Sequence, residues 1–105
     1  PILQQLPNHA DAWANMGLAY HDMGDFAGAR QAYERALYLN PRNERLLNNL
    51  GNYYAALAEQ SQGAERQRNL QEARSYFQRA LGLNPAYAGP RSGLQFVEDA
   101  LKQLQ

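Results

Sequence analysis

Apolar positions along this chain fall at helical spacing. Trp13, Met16, Gly17 and Tyr20 follow the i, i+3, i+4, i+7 template of one helical face, which predicts a helix from Asp11 to about Met23. Gly24 breaks it, and Asp25 is a good N-cap for a second helix from Phe26 to Leu39. Asn40-Pro41 stops that helix, because proline cannot extend the hydrogen-bond ladder. With so short a connection the two helices must pack antiparallel. The pattern then starts again. Leu46, Leu47, Leu50, Gly51, Tyr54 and Leu57 mark a helix from Glu44 to about Ala58. A further helix spans Leu70 to Leu83, closed by Asn84-Pro85, and a last one runs from Gly89 or Pro90 to Leu104.

The recurrence is close. Trp13, Met16, Gly17, Tyr20 and Met23 return 34 positions on as Leu47, Leu50, Gly51, Tyr54 and Leu57. Phe26, Ala29, Tyr33, Ala36, Leu37, Leu39, Asn40 and Pro41 return 44 positions on as Leu70, Ala73, Phe77, Ala80, Leu81, Leu83, Asn84 and Pro85. The unit is therefore about 34 residues with a roughly 10-residue insertion in its second copy. That insertion, at about 58–69, is either a surface loop or the continuation of both helices to a turn at Gly63; Asn69 with Glu72 also resembles a capping box. The expected division is one domain over 1–105, with residues 1–7 as the tail of a preceding repeat. Repeat one follows at 10–43, repeat two at 44–87 and a capping helix at 88–105. Gly17 lies opposite Ala29 and Ala32, where a larger side chain would overpack the hairpin by about 1–3 kcal/mol.

Composition narrows the chemistry. The net charge is zero, which indicates neither a nucleic-acid footprint nor a polybasic membrane anchor. There is no cysteine, so disulfides, thiolate zinc sites and a cysteine nucleophile are excluded. No apolar run is long enough to span a bilayer, and no targeting segment is visible, so the compartment (cytoplasmic or periplasmic) stays open. His9 and His21 are the two histidines; His21, Asp22 and Asp25 point to different sides of a helix end and make a poor metal site. No serine, glycine-run or carboxylate constellation suggests catalysis, and no cofactor is expected. Tyr33, Tyr53, Tyr54 and Tyr76 read as packing residues.

Trp13, Gly17, Tyr20, Ala29, Tyr33, Ala36 and Pro41 stand in the pattern W-x3-G-x2-Y-x8-A-x3-Y-x2-A-x4-P. This resembles the tetratricopeptide repeat family, with Leu47 in place of the tryptophan in the second copy. The resemblance implies an all-α fold, an alpha-alpha superhelix of right-handed solenoid type, with two helix-turn-helix repeats plus a C-terminal capping helix. It also implies that the first helices line a concave groove for a peptide or partner helix. In the last helix Arg91, Gln95 and Glu98 are polar where earlier repeats are apolar, while Pro90, Leu94, Val97 and Leu101 stay apolar, as a terminal cap requires.

Repeat position places Asn15 and Leu18, then Arg45, Asn48, Asn49 and Asn52, then Ser92 and Phe96 on the groove, with Asp11, Ala14, Asp22, Ala55 and Asp99 near them. An asparagine amide suits the N–H and C=O of an extended peptide. Asn15 and Asn49 are 34 apart, similar to the asparagine ladder in the repeats of O-linked N-acetylglucosamine transferase; the alternative is that these amides cap turns or bond between helices. The family's two-carboxylate clamp is not matched, because Ala14, Leu18, Gly89 and Gly93 occupy four of its positions and Arg45 is the only groove cation.

The reading that follows is a non-enzymatic scaffold or adaptor module for protein or peptide partners, expected to be a C-terminal fragment of a larger protein. The alternative is a substrate-recruiting or regulatory region of a larger enzyme such as a glycosyltransferase, or of a bacterial envelope assembly. The apolar back of the first helix, Ala12, Met16 and Ala19, together with Ile2, Leu3 and Leu6, also suggests self-association through the N-terminal end.

Overall fold

The structure, a computed structural model, describes residues 9–104. The described residues form five helices and no strand: α1 (His9–Asp22), α2 (Phe26–Leu39), α3 (Glu44–Glu59), α4 (Gly63–Leu83) and α5 (Ala88–Gln103). The chain divides into two compact units between Leu46 and Leu47. The expected repeat tail at residues 1–7, with Ile2, Leu3 and Leu6, lies outside the described residues.

In the first unit α1 and α2 form an antiparallel hairpin. Gly17 of α1 sits against the Tyr33 ring, while Tyr20, one turn further on, sits against Gly28. Advancing along one helix therefore retreats along the other. Tyr33, Ala29 and Ala36 are fully buried. Gly17 makes room for the Tyr33 ring, a nearer neighbour than the Ala29 and Ala32 expected opposite it. A β-carbon there would lie 2.5 Å from Tyr33 Cδ1.

The turn between these helices satisfies its own backbone. Gly24 takes φ +82°. Its N–H donates to the His21 carbonyl at 2.9 Å, and the Asp25 N–H donates to the Tyr20 carbonyl at 2.8 Å. These two bonds are the Schellman pattern of a left-handed helix terminus. Asp25 then caps α2, its Oδ1 accepting from the Gly28 N–H at 2.9 Å. Gly24→Ala is expected to cost about 1 kcal/mol, because a side chain resists that backbone conformation although the space around it is open. Chemical denaturation of the single variant measures it.

The second unit repeats the plan. Gly51 of α3 sits against the ring of Phe77 in α4, as Gly17 does against Tyr33. Asn84 ends α4 as Asn40 ends α2: each side chain accepts the N–H two residues on at 3.2 Å, and each main-chain N–H returns to an alanine carbonyl at 2.9 Å. Leu70, Ala73, Phe77, Ala58 and Val97 form the buried centre, flanked by Tyr54, Leu94 and Leu101. On α5, Pro90 and Val97 are buried, Leu94, Leu101 and Glu98 are half-buried, and Arg91 and Gln95 are exposed.

The inserted residues lengthen both helices. α4 has 21 residues against 14 in α2, and the chain turns over three residues before Gly63, whose φ is +60°. Asn69 is therefore interior to α4 and caps nothing. Its amide instead donates to Ser61 Oγ at 3.2 Å. The Ser61 hydroxyl and the Arg66 guanidinium both lie 3.0 Å from α3 carbonyls, of Leu57 and Ala58 respectively, and donate to them. These donors satisfy carbonyls that the end of α3 leaves without helical partners. At Gly82, near the end of α4, a β-carbon would meet nothing. Gly82→Ala is thus expected to stabilise the protein by about 0.5–1 kcal/mol, read as a higher denaturation midpoint.

Candidate functional site

Between α3 and α5 the second unit carries an open cleft of about 410 Å³. Asn52, Ala55, Ala56 and Glu59 line one wall; Gly89, Ser92, Gly93 and Phe96 line the other, with an edge of Phe77 between them. The cleft follows from small side chains. Gly89 and Gly93 are four apart, on one face of α5, and Ala55 and Ala56 stand across from them. Gly93 also presses on the Phe77 ring, so Phe77 is held between a glycine of α3 and a glycine of α5. Phe96 is 52% exposed although it is a large apolar residue. It lies off the Leu94–Val97–Leu101 stripe that packs inward.

The residues expected on the groove separate into groups. Asn52, Ser92 and Phe96 meet in this cleft. Asn48 lies beside it and is half-buried; its amide would be 3.1 Å from a β-carbon at Gly89, and its Oδ1 is buried without a hydrogen-bond partner. Asn49 is only 9% exposed and belongs to the interior rather than to an open surface. In the first unit Asn15 and Arg45 are exposed and engage each other: the Arg45 guanidinium donates to Asn15 Oδ1 at 2.9 Å. Asp11 similarly accepts from the Asn43 amide at 2.7 Å. Leu18 is 39% exposed, whereas Ala14, also expected on the groove, is fully buried. Glu59 was not read as a cleft residue in the sequence, and Gly89 and Gly93 were placed on the groove only as departures from the two-carboxylate clamp, not as residues that open it. Their signal was there in part, since two glycines at i and i+4 on a helix leave a channel along it.

Chemically the cleft offers one amide (Asn52), a hydroxyl (Ser92), one carboxylate (Glu59) and the exposed ring of Phe96. Among the described residues no group of three or more histidine, aspartate or glutamate side chains is placed to hold a metal ion. No described helix is long and apolar enough to cross a membrane. Met16, Ala19, Tyr20 and Met23 line a second hollow on α1 of about 240 Å³, and Met23 is 71% exposed.

Helix hairpins built twice on one glycine-against-aromatic plan, with a cleft between helices, define an all-α helical-repeat protein of the solenoid class. The chain belongs to the tetratricopeptide repeat family, whose models match residues 10–43 and 64–87. The second match begins inside the lengthened α4 and leaves out α3. Several curated proteins share parts of it. A heat shock protein sti1 homolog of Schizosaccharomyces pombe is 40% identical over 58 residues, 55% of this chain and 10% of that protein. Human protein O-mannosyl-transferase TMTC1 is 46% identical over 48 residues, 46% of this chain and 5% of that protein. The heat-shock protein cognate co-chaperone sgt12 of Aspergillus fumigatus is 33% identical over 61 residues, 56% of this chain and 18% of that protein. The chain thus spans less than a fifth of each of these relatives. Its repeats and its likeness to a heat shock protein homolog and a co-chaperone mark it as a protein-interaction module.

Proposed function

We propose that the α3–α5 cleft holds an extended peptide segment of a partner protein. The observation that supports this most is Phe96, left half in solvent on one wall of a cleft whose other wall carries the Asn52 amide, with glycine and alanine around them. An aromatic platform supplies contact area, and an amide can pair with one N–H and one C=O of a main chain. The chain itself carries no catalysis in this reading. Asn15 and Arg45 form a second polar contact point in the first unit. Two of the relatives are named for heat shock and co-chaperone work, which favours client or chaperone segments as partners. The likeness to an O-mannosyl-transferase favours a second reading, in which the module recruits substrate for a larger enzyme. The apolar hollow on α1 also supports self-association, which sedimentation over a concentration series measures.

The test of the cleft uses peptides selected from a random displayed library on the intact chain, with affinity measured by fluorescence anisotropy. Asn52→Ala combined with Phe96→Ala is expected to weaken binding tenfold or more, because it removes a central aromatic anchor and a hydrogen-bonding amide. Both side chains are exposed, so the denaturation midpoint should hold. Unchanged affinity in the double variant contradicts the proposal.

A further inference from the structure

We infer that the preferred occupant of this cleft is a segment pairing a bulky apolar residue with a neighbouring arginine or lysine, rather than an acidic segment or a free chain terminus. The inference rests on the cleft being a peptide site and adds the chemistry of the peptide. Glu59 is the one charged residue on the walls. Its carboxylate is exposed and makes no ion pair among the described residues. Two arginines near the walls in sequence are turned to main-chain oxygens: Arg66 donates to the Ala58 carbonyl and Arg91 to that of Pro85. The buried Asn48 Oδ1, beside Gly89, is a second acceptor with no donor. Glu59 is thus the exposed charged acceptor on the walls, which a cationic side chain or a main-chain N–H can meet, while the Asn52 amide and the Ser92 hydroxyl can donate as well as accept. An incoming carboxylate would find no cation on either wall and would meet Glu59, a like charge, at the cleft edge. The aliphatic stem of an arginine or lysine also suits the alanine and glycine floor, with its charged head at the rim. Phe96 then takes the apolar neighbour, and a guanidinium can additionally lie against its ring.

The experiment compares the peptides selected on the chain with those selected on Glu59→Gln and Glu59→Lys. The unaltered chain should enrich arginine or lysine within two or three residues of an apolar side chain. Glu59→Gln should weaken those peptides about threefold, and Glu59→Lys about tenfold, with a shift of the enriched set toward aspartate and glutamate. The effect should shrink as salt rises. Phe96→Ala should lower affinity for all of the peptides without changing the charge preference. Peptides that need Asn52 and Phe96 but favour acidic residues, or show no charge preference, overturn this inference and leave the cleft's peptide-holding role standing. Binding that ignores Asn52 and Phe96 overturns both.

Discussion

Phe77→Ala is expected to destabilise the protein by about 3–5 kcal/mol, the usual cost of emptying a buried aromatic site. A small domain has about 5–15 kcal/mol in total, so the variant should be close to unfolding. The ring is fully buried, and glycines from two helices close over it. At both Gly51 and Gly93 a β-carbon would fall well inside 3.0 Å of ring atoms. Gly93→Ala alone should therefore cost about 1–3 kcal/mol by overpacking, despite alanine's better helix propensity. In the Phe77→Ala background the same change should be neutral or stabilising, since the methyl enters space the ring has vacated. Strong non-additivity of this kind is the signature of two groups in direct contact. Urea titrations of the two single variants and the double variant check it. Additive effects would mean that Gly93 and Phe77 do not touch.

The second large effect lies in the other unit. Gly17→Leu is expected to cost at least as much as the 1–3 kcal/mol typical of overpacking, because the Tyr33 ring is rigid and fully buried. Gly17→Ala should cost less, and Gly51→Ala should resemble it, since both glycines face the ring of the second helix in their own hairpin. Equal sensitivity at positions 17 and 51 would express, in energy, the 34-residue period of the sequence. Thermal or urea unfolding midpoints of the three variants decide this. Tolerance of leucine at Gly17 would contradict the packing described for α1 and α2.

Much of the fold was legible because its signals are local. Asp25 behind Gly24, and proline after Asn40 and Asn84, set helix ends by backbone chemistry that needs no tertiary partner. The repeat then told which residues share a role, so Tyr33 and Phe77 were placed in equivalent interiors. The cleft was legible only in part. Repeat position put Asn52, Ser92 and Phe96 near one another, and the structure brings them to one cleft. It could not distinguish Asn49 from Asn52, three residues along the same helix, because their burial depends on rotation by less than one helical turn. Nor could it show that Arg45 is held by Asn15, a contact between side chains 30 residues apart. The inserted stretch kept two readings open because its helix formers suit a helix while its polarity suits a loop. The bond from Asn69 to Ser61, with those from Ser61 and Arg66 to the Leu57 and Ala58 carbonyls, spans the turn between two lengthened helices.

Amide shift mapping on the isotope-labelled chain, titrated with a library-selected peptide, tests the peptide-holding role most directly. The largest changes are expected to gather at Asn52, Ala55 and Ala56 on α3 and at Ser92, Gly93 and Phe96 on α5. Changes centred instead on the outer faces of α2 or α4, with the α3 and α5 amides unmoved, would contradict that role.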